Sequence, residues 1–182
     1  MVYCVSTKKY VKDYRSIDTV DSKGRLHTEY EYIGGAYYFC EDAGTVRRKA
    51  ILLVALCSAG WFFWLLPLLF NNGAMRLPFI SLPYIFTALT LWLMSMSAYT
   101  ALTAHEPMKH KMSVRLAKWL PGTSLAAAIL SGVALLATAA AYVFGIGSLN
   151  TYDWLFASCA ALVCASAIIC HTQKKFFKTE ER

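Results

Sequence analysis

The stretch AILLVALCSAGWFFWLLPLLF, residues 50–70, decides how this chain is read. It holds no Lys, Arg, Asp or Glu, and it follows directly on Arg47, Arg48 and Lys49. A helix of about 20 apolar residues crosses the ~30 Å hydrocarbon layer of a bilayer with its backbone hydrogen bonds closed inside the segment. Three further runs have the same character, 79–104, 119–145 and 152–170, the last carrying Asp153 at its outer edge. The pattern predicts an all-α membrane protein. Its expected body is a four-helix transmembrane bundle over residues 49–171, with a small N-terminal segment (1–48) before it and a short basic tail (172–182) after it.

The basic residues orient these spans. Lys8, Lys9, Lys12, Arg15, Lys23, Arg25, Arg47, Arg48 and Lys49 precede the first span. Lys109, Lys111, Arg115 and Lys118 fill the middle loop, and Lys174, Lys175, Lys178 and Arg182 follow the fourth span. Of the 18 Lys and Arg, only Arg76 falls in one of the other two loops. Because loops rich in Lys and Arg stay in the cytoplasm, both ends of the chain and the middle loop are expected there, in the cell membrane. The net charge of +7 then reads as topology plus attraction to an anionic cytoplasmic leaflet. Arg47, Arg48, Lys49, Lys109, Lys111, Arg115, Lys118, Lys174 and Lys175 are the residues placed for that role. Nucleic acid is not an expected partner, since the cations are pinned to the membrane face. Residues 1–46 contain no apolar core of the kind a cleavable signal peptide needs, so the first span reads as an uncleaved signal anchor.

In the cytoplasmic segment, Leu26, Thr28, Tyr30 and Tyr32 alternate with His27, Glu29 and Glu31, the period-2 pattern of a half-buried strand. Asp21-Ser22-Lys23-Gly24 supplies turn chemistry before it. A hairpin of 14–20 with 25–33 is expected, and after the Gly34-Gly35 break residues 36–40 are expected to return as a third strand. Tyr3, Tyr10, Tyr14, Tyr30, Tyr32, Tyr37 and Tyr38 crowd this segment, and their apolar rings and wet tips suit a cap resting on headgroups or on the bundle.

Spans one and two are bulky and aromatic, with Trp61, Phe62, Phe63 and Trp64 in the first and Phe79, Tyr84, Phe86, Trp92 and Tyr99 in the second. Spans three and four are rich in small residues. Helices in lipid associate through close contact, which small residues permit. Ala157, Ala161 and Ala165 form one expected ridge, with Ala137, Ala141 and Gly145 on one face of span three and Ala128, Gly132 and Ala139 on another. Span three is therefore expected at the bundle centre. Pro67, Pro83 and Pro121 lie within or near the starts of spans, where neighbouring groups can re-satisfy freed carbonyls.

Candidate chemistry is sparse. Cys4, Cys40, Cys57, Cys159, Cys164 and Cys170 contain no Cys-x-x-Cys pair and read as free, small packing residues. In His105-Glu106 and His110 the second histidine falls one position late for a zinc-protease helix, and Pro107 interrupts that helix. His105 and His171 read as interfacial residues. The Thr90, Ser97 and Thr100 hydroxyls are expected to bond their own helix backbone, and the basic stretch 108–119, with Met112, Leu116 and Trp119 interleaved, reads as a short interfacial helix. Apart from Asp153 the spans hold no acidic or basic group of the sort that marks proton relays. No catalytic residue, cofactor or metal is assigned.

These features point first to a non-catalytic accessory or regulatory subunit packing against a membrane partner or against itself. A small homo-oligomeric channel or exporter is the alternative. A membrane enzyme at the cytoplasmic rim would require a cleft joining His105, Glu106 and His110 to acidic residues of the N-terminal segment. Reporters fused after Arg182 or within 109–118 should register cytoplasm, and one inserted at Asn72 should register the opposite side. Neutralising Arg47, Arg48 and Lys49 together should mix the orientation, read as dual reporter labelling.

Overall fold

The computed structural model describes residues 14–20, 26–146 and 150–181. The bundle begins at Asp42, whose carboxylate accepts the Gly44 N–H at 2.9 Å and the Thr45 N–H at 3.3 Å, satisfying two donors the first turn leaves open. Helix α1 (Ala43–Leu65) then runs until Pro67, which lacks an N–H and tightens the chain into a 3-10 turn over Leu66–Leu69. After a short 3-10 turn at Ala74–Arg76, Pro78 opens α2 (Pro78–Thr103) at a position where its missing donor costs nothing. Helix α3 (His110–Val114) passes through a π turn, Arg115–Trp119, into α4 (Leu120–Val143). Gly145, at φ +61°, stops α4. The Ile146 N–H there reaches back to the Ala141 carbonyl at 2.9 Å, a closure through a left-handed residue that glycine adopts without strain. Helix α5 (Tyr152–Thr172) ends in a 3-10 turn, Gln173–Phe177.

Four helical stretches, Ala43–Leu69, Pro78–Thr103, His110–Val143 and Tyr152–Phe177, are long and apolar enough to cross a membrane. They alternate in direction and close a ring in the order α1, α2, α4, α5, with the most extensive contacts on the two sides of α4.

Burial along each helix follows steps of four and three. The buried edge of α1 is Val46, Ala50, Leu53, Cys57 and Gly60, and that of α2 is Ile80, Tyr84, Thr87, Leu91, Met94, Ala98 and Ala101. In α4 it is Leu120, Ser124, Ala127, Ser131, Ala134, Thr138 and Ala141, and in α5 Asp153, Phe156, Ala160, Val163, Ala167 and Cys170. A mean spacing of ~3.5 residues is the seam of a left-handed antiparallel bundle. The half nearer the α1–α2 and α4–α5 connections is filled by aromatic rings. Tyr84 stacks on Trp64 at 5.7 Å and tilts against Phe156 at 4.7 Å, while Tyr84 Oη–H donates to the Trp64 carbonyl and Trp64 Nε1–H to the Tyr84 carbonyl. Seam hydroxyls turn onto their own helices: Thr87 to Pro83, Ser124 to Leu120, Ser131 to Ala127 and Thr138 to Ala134. Thr90, Ser97 and Thr100 do the same.

Outside the bundle, β1 (Tyr14–Val20) pairs antiparallel with β2 (Leu26–Tyr32), Tyr14 opposite Tyr32 and Val20 opposite Leu26. The turn expected at 21–24 lies outside the described residues. The third strand differs from expectation: β3 (Tyr37–Phe39) pairs with β4 (Thr179–Glu181), in the stretch following α5, and not with the hairpin. Because α1 starts where α5 ends, the strand leading into one helix lies beside the strand leaving the other.

Overpacking the α4 seam should be costly where the α5 ridge edge is tolerant. Ala134→Leu, at a fully buried site, is expected to lower stability of the detergent-solubilised protein by about 1–3 kcal/mol. Ala165→Leu, at an exposed site, should change it by under about 0.5 kcal/mol. Chemical or thermal unfolding of both variants checks the contrast.

Candidate functional site

The residues singled out for helix packing occupy three environments. Ala141 is buried; Ala128, Gly132, Ala137, Ala157 and Ala161 are half-buried; Ala165 and Gly145 are exposed. Gly132 does face α5: a Cβ built on it would stand 3.8 Å from Cys164 Sγ, and that thiol donates to the Ala128 carbonyl at 3.4 Å. Gly145 lies past the end of its helix, with nothing within 4 Å of a built Cβ. Of the described glycines, the one packed most closely on other helices was not singled out: a Cβ on Gly60 would meet Leu91 at 3.2 Å and Ser166 at 3.4 Å.

At the end of the bundle formed by the α1–α2 and α4–α5 hairpin loops, polar groups form a latch. Asp153, 4% exposed, accepts the Ala74 N–H at 2.7 Å through Oδ1 and the Asn150 N–H through Oδ2. Its carboxylate also lies in the first turn of α5, where the helix dipole favours negative charge. Asn72, buried as well, donates to the Pro67 carbonyl at 2.9 Å and accepts the Met75 N–H at 3.0 Å. Asn150 Nδ2 donates to the Asn71 carbonyl at 2.9 Å, so the two hairpin loops hold each other. Beside the latch an apolar groove of about 310 Å³ opens between α4 and α5, bordered by Tyr142 and Trp154, whose rings meet edge-on at 5.1 Å.

The opposite end gathers the basic residues. Arg47, Arg48, Lys109, Lys111, Lys118, Lys174 and Lys175 are exposed there, and Lys49 and Arg115 are half-buried. Lys49 Nζ sits 4.6 Å from the Phe176 ring centre, and Arg115 Nη1 donates to Thr100 Oγ1 at 3.3 Å. The two-stranded sheet braces this rim. Tyr37 exchanges backbone hydrogen bonds with Met108, its hydroxyl lies 2.8 Å from His110 Nδ1, and the Phe39 N–H donates to Glu106 Oε1 at 2.8 Å. His171 Nδ1 is 3.1 Å from the Pro121 carbonyl and its Nε2 is 3.0 Å from Lys174 Nζ. The imidazole therefore donates from Nδ1 and accepts at Nε2, tying the end of α5 to the start of α4. At Cys40, exposed beside β3, desolvation and then the Glu180 carboxylate push the thiol above its usual value.

Between the start of α1 and the end of α2 the rim opens into a cavity of about 740 Å³, lined by Phe39, Ala43, Val46, Arg47, Ala101, Leu102, Ala104, His105 and Glu106. His105 and Glu106 thus meet in one cleft, as a rim site requires, but His110 is turned to Tyr37 and does not line it. Among the described residues no group of three or more His, Cys, Asp and Glu is arranged to hold a metal ion. A scan against models of known protein families, a search of curated proteins and a search of solved structures each found nothing that matches this chain.

The latch has a measurable worth. Asp153→Ala removes acceptors from the buried Ala74 N–H and from Asn150, and should lower stability in detergent by about 1–3 kcal/mol. Asp153→Asn keeps one acceptor and should fall between the wild type and the alanine variant in the same thermal unfolding assay.

Proposed function

We propose that this chain is an integral protein of the cell membrane, crossing it four times with both ends cytoplasmic, and that it serves as a non-catalytic accessory or regulatory subunit packed against a membrane partner or a second copy. The observation that carries this reading is the division of the side chains. The inward edge of α4 is small residues and committed hydroxyls packed against buried rings and aliphatics of the other helices, while the outward face is large and apolar, with Phe62 at 59%, Trp92 at 56% and Trp154 at 60% exposure. Such a surface suits lipid and other membrane helices. The exposed Tyr142, Tyr152 and Trp154 at the latch end fit an interfacial aromatic belt, and the cationic rim opposite fits an anionic cytoplasmic leaflet.

A channel or exporter finds less support in a single copy, because the seam is filled and its hydroxyls are turned to their own carbonyls. The rim cavity favours an enzyme only in part: Arg47, His105 and Glu106 line it, but among the described residues no Ser, Thr, Cys or Lys does. Affinity purification in a mild detergent after membrane crosslinking separates the readings. A stoichiometric membrane partner or a defined homo-oligomer is the expected outcome. Recovery solely as a monomer, with no crosslinked species, overturns the subunit assignment.

A further inference from the structure

The rim cavity between α1 and α2 pairs two opposite charges that leave each other alone. Arg47 and Glu106 both line it, yet among the described residues neither has an ion-pair partner. Glu106 Oε1 is held by the Phe39 N–H, which fixes the carboxylate and leaves Oε2 uncommitted among the described residues. Val46, Ala101 and Leu102, on the two helices themselves, add apolar lining to the same cavity. A cation and an oriented carboxylate, each without an ion-pair partner among the described residues, beside apolar lining describe a zwitterion with a hydrocarbon tail.

We propose that this cavity is a binding site for a phospholipid with a phosphoethanolamine headgroup, Arg47 taking the phosphate and Glu106 the primary ammonium. The guanidinium fork matches phosphate oxygens two at a time. A primary ammonium offers three N–H donors, one of which makes a charge-assisted hydrogen bond to Oε2, whereas a trimethylammonium head has none to give. A glycerol headgroup carries no positive charge and leaves Glu106 unpaired beside an anionic lipid. The acyl chain lies against Leu102, the exposed member of the apolar lining, while Val46 and Ala101 close the cavity on its buried side. The site rests on the membrane reading above, and it adds a headgroup preference that a merely basic rim does not have, since a basic rim selects anionic lipids.

The test is native mass spectrometry of the full chain released from detergent after exposure to equal amounts of phosphatidylethanolamine, phosphatidylcholine and phosphatidylglycerol with identical acyl chains. The wild type should retain phosphatidylethanolamine over phosphatidylcholine by about tenfold, the scale of one charge-assisted hydrogen bond. Glu106→Gln keeps an acceptor for the Phe39 N–H, so the strand stays in place, and it should bring the two lipids to equal retention. Arg47→Gln should weaken both. Leu102→Trp, which narrows the cavity without touching either charge, should also reduce phosphatidylethanolamine, and Lys175→Gln, outside the cavity, should leave the preference intact. Equal wild-type retention of phosphatidylethanolamine and phosphatidylcholine, or a preference between these two that survives Glu106→Gln, overturns the proposal while leaving the membrane reading standing; phosphatidylglycerol reports the basic rim outside the cavity. Failure to insert into vesicles of any of the three lipids sinks the membrane reading itself.

Discussion

The small side chains along the buried edge of α4 are the constraint on which the bundle depends. In the membrane reading proposed above, a lipid tail is as apolar as leucine, so nothing expels water to drive two helices together, and each heavy-atom contact is worth only ~0.1–0.2 kcal/mol. Cohesion must come from many contacts at short backbone separation. Ser124, Ala127, Ser131, Ala134, Thr138 and Ala141 allow that separation, and α2 and α5 close on α4 along its length. The bulk missing from this edge is supplied across it by Tyr84 and Phe156, whose rings fill the space the small residues leave. Hydroxyls are admissible on such an edge because each reaches a carbonyl one turn back and leaves no unpaired donor.

The spans were legible in the sequence because length and apolarity are summed over some twenty positions, where no single residue matters. The seam was not, and the reason is a difference of half a residue. Ala157, Ala161 and Ala165 recur every four, a row that winds gradually off a helix face, so that Ala161 is half-buried and Ala165 exposed. Burial instead follows ~3.5, which selects Ala160, Val163 and Ala167 beside the ridge. The 4-3 pattern is invisible where nearly every residue is apolar, since periodicity needs contrast. Gly60 and Gly145 look alike as letters, yet one is a close approach between helices and the other a helix stop. The rim cavity was half legible: His105 and Glu106 are adjacent in sequence, but Arg47 joins them only because α1 begins where α2 ends.

The two ends of the bundle use polarity differently. The latch end spends its carboxylate on backbone donors, Asp153 holding Ala74 and Asn150, so the loops are sealed by the protein's own groups. The cationic end leaves most of its charge facing outward, with Arg47, Arg48 and Lys118 exposed, and ties itself together with a short sheet and a histidine instead. The outward charge at one end and the contacts that close the bundle are thereby carried largely by different residues.

The pairing of β3 with β4 has a consequence in time. Tyr37–Phe39 is made before any span, but its partner Thr179–Glu181 is made only after the last. At roughly 5–20 residues per second of synthesis, the early strand waits on the order of ten seconds with its backbone edge open. During that interval the segment before the bundle is joined to it through α1 and, once residues 106–108 are made, through the hydrogen bonds of Tyr37 with Met108 and of Phe39 with Glu106. Closure of the sheet is therefore a late event that reports the arrival of α5, and the finished rim exists only in a chain whose fourth helix has already found its place.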